Sequence, residues 1–165
     1  MGFFDKLFGK PEKNKSDFIY APIAGQVVSL TEVPDPVFAE GMLGKGVAII
    51  PTDGRVCAPA DGIVSMMFDT GHAVSITSAN GAEILIHVGL ETVSLEGKPF
   101  TVHTRKGEKV KKGQLLLEVD LSAIEAAGLP TITPVIVCNS DDFTKFDGVT
   151  GQIVAGGDVL IELSK

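Results

Sequence analysis

The chain has few of the residues on which several classes of function depend. Its only two cysteines, Cys57 and Cys138, do not form a CxxC pair, so neither a disulfide framework nor a cysteine-based zinc site is indicated. No apolar run approaches the roughly 20 residues that a membrane-spanning helix needs. No glycine-rich nucleotide-binding motif is present, which argues against ATP as a direct substrate.

Positive charge is also scarce. The 165 residues include 14 lysines and arginines against 21 aspartates and glutamates, a net charge of −7. Such a protein is repelled by a phosphate backbone, so nucleic-acid binding is not expected, whereas a basic protein partner would suit it. The N-terminus lacks the long apolar region and cleavage site of a signal peptide, and we therefore expect a cytoplasmic protein with reduced thiols.

Glycine, proline and short apolar runs are abundant, with 19 glycines and 9 prolines separating the runs. This spacing predicts an all-β fold, an antiparallel β-sandwich or folded-over barrel with one or two short helices. One helix is expected over residues 121–128, with Ser122 and Glu125 as a capping box. The clearest strand predictions cover residues 26–30, 46–50, 62–66, 115–119, 134–137 and 159–163.

Two units are predicted along the chain, a flexible amphipathic tail over residues 1–16 and one β-domain over residues 17–165. In the tail, Phe3, Phe4, Leu7 and Phe8 have helical spacing and are accompanied by lysines. The tail could make weak contact with an anionic membrane, placing the protein at the inner face of the membrane. The alternative is a disordered segment that docks loosely on the domain.

Two histidines flank a predicted hairpin. Asn80-Gly81 between two β-type runs indicates a two-residue type I′ turn, in which Ala79 lies opposite Ala82. In that register His72 and His87 share one face of the hairpin, with Cα atoms roughly 7–8 Å apart. A slip of one residue would place them on opposite faces, so the prediction depends on the turn.

A pair of imidazoles suits phosphoryl transfer on nitrogen or metal binding. Neutral imidazole is nucleophilic near neutral pH, and a second ring can donate a hydrogen bond to phosphoryl oxygens. A zinc site on His72 and His87 would need further ligands, and we interpret His103, in a charged stretch, as a solvated side chain. Zinc could therefore bind adventitiously or with a partner's carboxylate. A biotinyl or lipoyl carrier is disfavoured because the hairpin tip has no lysine.

The sequence closely resembles the glucose-type enzyme IIA component of the bacterial sugar phosphotransferase system. The resemblance covers essentially the whole chain and implies an antiparallel β-sandwich, in agreement with the strand predictions. The segments that carry it are residues 21–25, 33–40, 58–62, 71–76, 84–93 and 133–135.

The resemblance also implies roles for four residues. The histidine matching His87 carries the phosphoryl group on Nε2, and the histidine matching His72 supports the transfer. Thr70 matches the hydroxyl that orients the ring of His72, and Gly89 matches the residue whose carbonyl fixes the tautomer of the phosphorylated histidine. No cofactor is required beyond the phosphoryl group.

Three kinds of partner follow from the same resemblance. The donor is the phosphorylated carrier protein HPr, and the acceptor is a cysteine on the IIB domain of a sugar permease, most simply one for glucose. Regulated transporters or metabolic enzymes could bind the unphosphorylated form. The family's recognition face is an apolar patch with an acidic rim. By position we map the patch to Val37, Phe38, Met42, Leu43, Phe68, Leu85 and Ile86, and the rim to Asp35 and Glu91.

Overall fold

The computed structural model describes residues 17–165, which form fourteen β-strands, two short α-helices and three single-turn 3₁₀ helices. Within this range no helix has the length and apolar character that crossing a bilayer requires. The predictions made for the tail over residues 1–16 lie outside the described residues.

The strands follow one another with short connections. They are β1 (Asp17–Tyr20), β2 (Gly25–Ser29), β3 (Lys45–Pro51), β4 (Arg55–Cys57), β5 (Gly62–Met67), β6 (Ala73–Ser78), β7 (Glu83–His87), β8 (Phe100–Val102), β9 (Lys109–Val110), β10 (Leu115–Val119), β11 (Thr133–Val137), β12 (Lys145–Gly148), β13 (Ile153–Val154) and β14 (Val159–Ser164). The helices are α1 (Pro36–Ala39) and α2 (Leu121–Ala126), and the 3₁₀ turns are Leu30–Glu32, Thr92–Leu95 and Ser140–Asp142.

The strands assemble into three antiparallel sheets, which confirms the predicted all-β fold with short helices. The largest sheet has eight strands in the order β13-β2-β3-β11-β7-β6-β5-β9. The two smaller sheets have the orders β1-β14-β12 and β4-β10-β8. The hairpin that carries the two histidines, β6–β7, lies inside the large sheet between β11 and β5, so neighbouring strands hold both of its edges.

The large sheet has a buried cluster on each face. The main core takes its residues from one face of the hairpin, Val74, Ile76, Ile84 and Ile86, all fully buried. Each such side chain contributes about 1.5–3 kcal/mol to folding. A second, smaller cluster covers the opposite face, where Leu85 packs against it. Because both faces are covered, the backbone of the hairpin is a rigid support for the residues at its open end.

All six predicted strands are present, with ends that differ by one residue or none from the prediction. The helix is also present as α2, but its capping was predicted wrongly. The N-cap is Asp120, whose carboxylate accepts a hydrogen bond from the backbone N–H of Ala123 at 3.2 Å. Because α2 begins at Leu121, Ser122 already lies in the first turn of the helix. Asp120, directly after β10, therefore has the N-cap position from which a side chain can accept from the free N–H groups.

The prediction of the hairpin turn is wrong, because the loop is one residue longer than predicted. The loop has three residues, 79–81, and Gly81 donates its N–H to the carbonyl of Ser78 at 2.9 Å with φ +91°. This is a type I turn followed by a left-handed glycine, as in three-residue hairpin loops. Asn139 stabilises this longer loop. Its side-chain N–H donates to the Gly81 carbonyl at 2.7 Å, and its side-chain oxygen accepts from the Glu83 N–H at 2.9 Å.

The register of the hairpin changes accordingly. Ala73 lies opposite His87 and Ser75 opposite Leu85. The predicted grouping of His87 with Val74 on one face is therefore wrong. His87 and Leu85 point to the face of the smaller cluster, while Val74 and Ile86 point into the main core.

Candidate functional site

His72 and His87 contact each other even though the register differs from the prediction. Their ring centroids are 5.2 Å apart, with an angle of 78° between the ring planes. His72 lies one residue before β6, so strand alternation no longer sets the direction of its side chain. Its carbonyl still accepts the Val88 N–H at 2.7 Å, which keeps it beside the end of β7. The two rings therefore meet at the end of the hairpin.

The ring of His87 has a fixed tautomer. Its Nδ1–H donates to the carbonyl oxygen of Gly89 at 2.7 Å. Gly89 has φ +74°, and a Cβ there would lie 2.6 Å from Thr92 Cγ2 and 2.9 Å from the Pro130 carbonyl oxygen. Glycine is thus required both by the backbone conformation and by the space. Because Nδ1 holds the proton, Nε2 of His87 has a free lone pair.

The loop after His87 is itself tightly held. Thr92 is fully buried, and its hydroxyl donates to the Val88 carbonyl at 2.6 Å. Leu90 donates its N–H to the Pro130 carbonyl at 3.1 Å, and Glu91 adopts a left-handed conformation with φ +61°. These contacts hold the Gly89 carbonyl in place. Sequence reasoning missed Thr92, because a single threonine in a turn carries no pattern that distinguishes it.

His72 is also oriented through its Nδ1 atom. The hydroxyl of Thr70 is hydrogen-bonded to Nδ1 of His72, and the ring is buried. Gly71, between them, has φ +77°, and a Cβ there would lie 2.8 Å from Val102 Cγ2 and 2.9 Å from Phe100 Cβ. When the hydroxyl donates to Nδ1, the proton of His72 resides on Nε2, which is then a hydrogen-bond donor.

Two phenylalanines flank the histidines. The ring centroid of Phe38 lies 5.1 Å from that of His87, and the centroid of Phe68 lies 5.1 Å from that of His72. The four rings thus form a mostly apolar setting in which a charged imidazole is poorly solvated.

Burial is the main influence on both imidazoles. It lowers the pKa of His72 from the usual value of about 6.5, and the neighbouring His87 lowers it further. Burial also lowers the pKa of His87, partly offset by the hydrogen bond to Gly89 and by the charge of Asp35. Both rings are therefore neutral at neutral pH, the form in which an imidazole nitrogen is a nucleophile.

Four of the seven apolar residues predicted for the partner patch are exposed, and the assignment of Ile86 to the patch is wrong. Ile86 is fully buried in the main core, because strand alternation points it to the opposite face of β7 from Leu85 and His87, so it cannot contact a partner. Phe38 is mostly buried against His87, and Leu85 is half-buried. The exposed apolar members are Val37, Met42, Leu43 and Phe68.

The two residues predicted for the acidic rim lie at the start of α1 and in the loop after His87. Asp35 is the N-cap of α1 and accepts the Val37 N–H at 3.0 Å, while Glu91 is exposed in the loop after His87.

The histidine pair provides only two metal ligands. Over residues 17–165, no three His, Cys, Asp or Glu side chains are grouped so as to hold a metal ion. His103 lies apart from the pair, where its Nε2 contacts Glu118 at 2.9 Å on the surface. Zinc takes four ligands, so two nitrogens of this chain would need ligands from another molecule.

The chain is similar to proteins of one family. Residues 17–143 match the family described as phosphoenolpyruvate-dependent sugar phosphotransferase system, EIIA 1. A glucose-specific EIIA component from Haemophilus influenzae is 39% identical over 166 residues, covering the whole of both chains. A beta-glucoside-specific EIIBCA component from Dickeya chrysanthemi is 46% identical over 149 residues, 90% of this chain and 24% of its own length.

A solved structure is similar over nearly the full length. The glucose permease IIA from Mycoplasma capricolum has a TM-score of 0.85 and 35% sequence identity, over 98% of this chain and 99% of its own.

Proposed function

Because the chain belongs to the EIIA 1 family of the phosphoenolpyruvate-dependent sugar phosphotransferase system, it is a phosphocarrier, and we propose that Nε2 of His87 is the atom that carries the phosphoryl group. The observation that carries this proposal is the hydrogen bond from Nδ1 of His87 to the Gly89 carbonyl. It leaves Nε2 as the one nucleophilic nitrogen of the ring.

The transfer is an exchange of one phosphorus–nitrogen bond for another. The lone pair on Nε2 of His87 attacks the phosphorus of phospho-HPr, and the donor's own bond to phosphorus breaks. Nδ1 keeps its proton, so the phosphorylated ring is cationic, and the Gly89 carbonyl stabilises that charge. In the second step a cysteine thiolate of the IIB domain attacks phosphorus, and the bond to Nε2 breaks.

His72 supports the transfer without forming a bond to phosphorus. Its ring contacts that of His87, and Thr70 occupies its Nδ1 atom. Nε2–H of His72 is then free to donate to the phosphoryl oxygens, where negative charge is concentrated during transfer.

The surface around the histidines suits the two partners. Val37, Met42 and Leu43 are exposed apolar residues, and Asp35 and Glu91 add negative charge beside them. Partners with an apolar centre and a basic rim, here HPr and a IIB domain, would be complementary. The glucose-specific relatives support glucose as the sugar served, while the beta-glucoside-specific relative supports a closely related system.

To test this proposal, the chain is phosphorylated from phosphoenolpyruvate through enzyme I and HPr, and its intact mass is then measured at alkaline pH. We expect the wild type and His72→Gln to gain one phosphoryl group and His87→Ala to gain none. We then expect wild type, but not His72→Gln, to pass the group rapidly to a IIB domain. A His87→Ala protein that still gains the group on a histidine would overturn the assignment.

A regulatory function is supported by the setting of the phosphoryl group. Phosphorylation places charged phosphoryl oxygens beside Phe38 and Phe68, and covering these oxygens with an apolar partner surface would cost desolvation energy. We therefore expect regulated transporters or enzymes to bind the unphosphorylated form. Comparison of proteins captured by wild type and His87→Asp tests this, and identical sets would exclude it.

Zinc is a further candidate ligand, because Nε2 of His87 has a free lone pair and Nε2 of His72 would have one in the tautomer whose Nδ1–H donates to the Thr70 hydroxyl oxygen. With two ligands from this chain, tight binding would require a partner's carboxylate. Zinc titration by calorimetry, alone and with each candidate partner, should show tight binding only in a complex and none in His72→Gln.

A further inference from the structure

Two strands beside the histidine pair have free edges. β5 pairs with β6 along its length but with β9 only at Gly62 and Ile63. β8 ends the small sheet β4-β10-β8 and pairs with β10 alone. Over residues 17–165, the C-terminal half of β5 and the outer side of β8 therefore lack a neighbouring strand. A free edge offers N–H and C=O groups to an added strand.

Hydrogen bonds within the sheets identify the groups that point outward. His103 donates its N–H to Leu116 on β10 at 2.9 Å, so Val102, one residue earlier, directs its N–H and C=O away from β10. Phe68 donates to Ala73 at 3.2 Å, so Met67 likewise directs its backbone groups away from β6. Each free edge thus presents a donor and an acceptor.

An apolar groove of about 520 Å³ lies between these two edges, and we call it the β5–β8 groove. Its apolar lining comes from Met66, Met67, Phe68 and Val102. Met66 is 42% exposed, Phe68 41% and Val102 39%. Large apolar side chains exposed side by side are typical of an interaction surface. Main-chain pairing flanked by side-chain pockets is how extended peptides are bound at sheet edges.

The groove has a basic end on an otherwise acidic protein. Arg105 and Lys106 line it, both are exposed, and neither forms an ion pair with another residue in the described range. Asp69 is the one acidic residue in the lining. An occupant with carboxylate side chains would be attracted here, unlike the basic partners that suit the rim formed by Asp35 and Glu91.

The positive charge of the groove favours an acidic segment of another protein over the N-terminal residues of this chain as its occupant. Residues 1–16 of this chain contain four lysines against two acidic residues, so the chain's own tail would be repelled by Arg105 and Lys106. An acidic segment of another protein has the complementary charge. The groove reaches the histidine pair, because Phe68 belongs to its lining and also contacts the ring of His72.

We propose that the β5–β8 groove binds an extended segment of a partner protein that alternates apolar and acidic side chains, paired to the free edge of β8 at Val102. The interaction needs no phosphoryl group, so it succeeds or fails independently of the phosphocarrier chemistry. It differs from docking of HPr or a IIB domain in the sign of the partner's charge and in its use of backbone hydrogen bonds.

The test uses the full chain and a synthetic peptide of alternating valine and glutamate as the probe. Binding is followed by amide chemical shifts, with a valine–lysine peptide as the control. We expect saturable shifts from the acidic peptide, largest at Met67 and Val102, and none from the basic one. The double variant Arg105→Glu/Lys106→Glu should weaken binding by about tenfold or more, whereas Lys109→Glu/Lys111→Glu, with the same change in net charge, should not.

A second pair of variants tests the backbone contact. Val102→Pro removes the outward N–H without removing a bond to β10, and should weaken binding by about tenfold. Val102→Ala keeps the N–H and should bind more tightly than Val102→Pro. The proposal is overturned if no saturable shift appears up to about 1 mM peptide, or if both peptides bind equally. The proposal is also overturned if the wild type forms a dimer and Val102→Pro is monomeric, because the occupant of the groove would then be a second copy of this chain.

Discussion

The carbonyl oxygen of Gly89 accepts a hydrogen bond from Nδ1 of His87 at 2.7 Å. This one contact fixes which nitrogen of the ring is the nucleophile. It also compensates the positive charge that the ring acquires once Nε2 carries a phosphoryl group. The position of the carbonyl depends in turn on a left-handed glycine packed against Thr92 and Pro130.

Replacement of Gly89 by alanine should disturb both stability and transfer. The new Cβ would approach Thr92 Cγ2 to 2.6 Å and the Pro130 carbonyl oxygen to 2.9 Å. Gly107→Ala is the matched control, because Gly107 has φ +91° but open space around its Cβ position. Both variants should lose about 1 kcal/mol from the left-handed backbone. Only Gly89→Ala should lose more in urea unfolding and accept the phosphoryl group more slowly; equal losses would contradict the steric account.

Removal of the Thr92 hydroxyl should loosen the loop that holds the Gly89 carbonyl. Thr92→Val leaves the buried Val88 carbonyl without its 2.6 Å donor. We expect a loss of about 1–3 kcal/mol in the free energy of unfolding. Thr92→Ser keeps the hydroxyl and should keep most of that hydrogen-bond energy. Urea unfolding measures both, and a Thr92→Val protein as stable as wild type would show that the hydroxyl does not hold the loop.

Thr70 should affect the delivery of the phosphoryl group more than its acceptance. Thr70→Val removes the hydrogen bond to Nδ1 of His72 while leaving His87 and Gly89 unchanged. Transfer to a IIB domain should slow by about tenfold, the effect of one hydrogen bond worth ~1.4 kcal/mol. Thr70→Ser should restore the rate. Rapid-quench measurement of each half-reaction checks this, and a full rate for Thr70→Val would rule out the orienting role.

Acid should destabilise the fold through the histidine pair. Burial lowers the pKa of both His72 and His87, so the unfolded chain, with values of about 6.5, binds protons first as the pH falls. The part of the stability that depends on this pair is therefore greatest above about pH 6.5 and decreases below it, down to the native pKa values.

Two measurements check this pH dependence. NMR titration of the ring carbons should give midpoints below 6.5 for both histidines, and the midpoint of His72 should rise in His87→Gln, which removes a neighbour that lowers it. Urea unfolding at pH 7.5 and 5.5 should show a smaller pH effect in the double variant His72→Gln/His87→Gln. Midpoints at or above 6.5 would contradict the role of burial.

Local sequence pattern was sufficient to predict the strands. β10, for example, covers the predicted residues 115–119, because a short apolar run bounded by turn residues is a local property of the sequence. The Asn80-Gly81 turn was predicted wrongly because its type depends on contacts from Asn139, 58 residues away from Gly81. Ile86 was assigned to the partner patch by its position in the family resemblance, which did not take into account that it alternates with Leu85 along β7 and points into the core.

The contact between the two histidines was predicted correctly, but the hairpin register on which the prediction rested is wrong. Strand alternation in the observed register would separate His72 from His87, yet the rings meet because His72 lies beyond the end of β6. The free edges of β5 and β8 could not be predicted either, since they depend on the order of strands in separate sheets. Sheet order is set by tertiary packing and has no local signal.

The central claim is that Nε2 of His87 carries the phosphoryl group because Nδ1 is engaged by Gly89. The most direct test is NMR of the protein labelled with ¹⁵N in its histidines, after phosphorylation through enzyme I and HPr at alkaline pH. The account predicts phosphorus coupling to Nε2 of His87, with the proton retained on Nδ1. Phosphorus on Nδ1 of His87, or on His72, would contradict it.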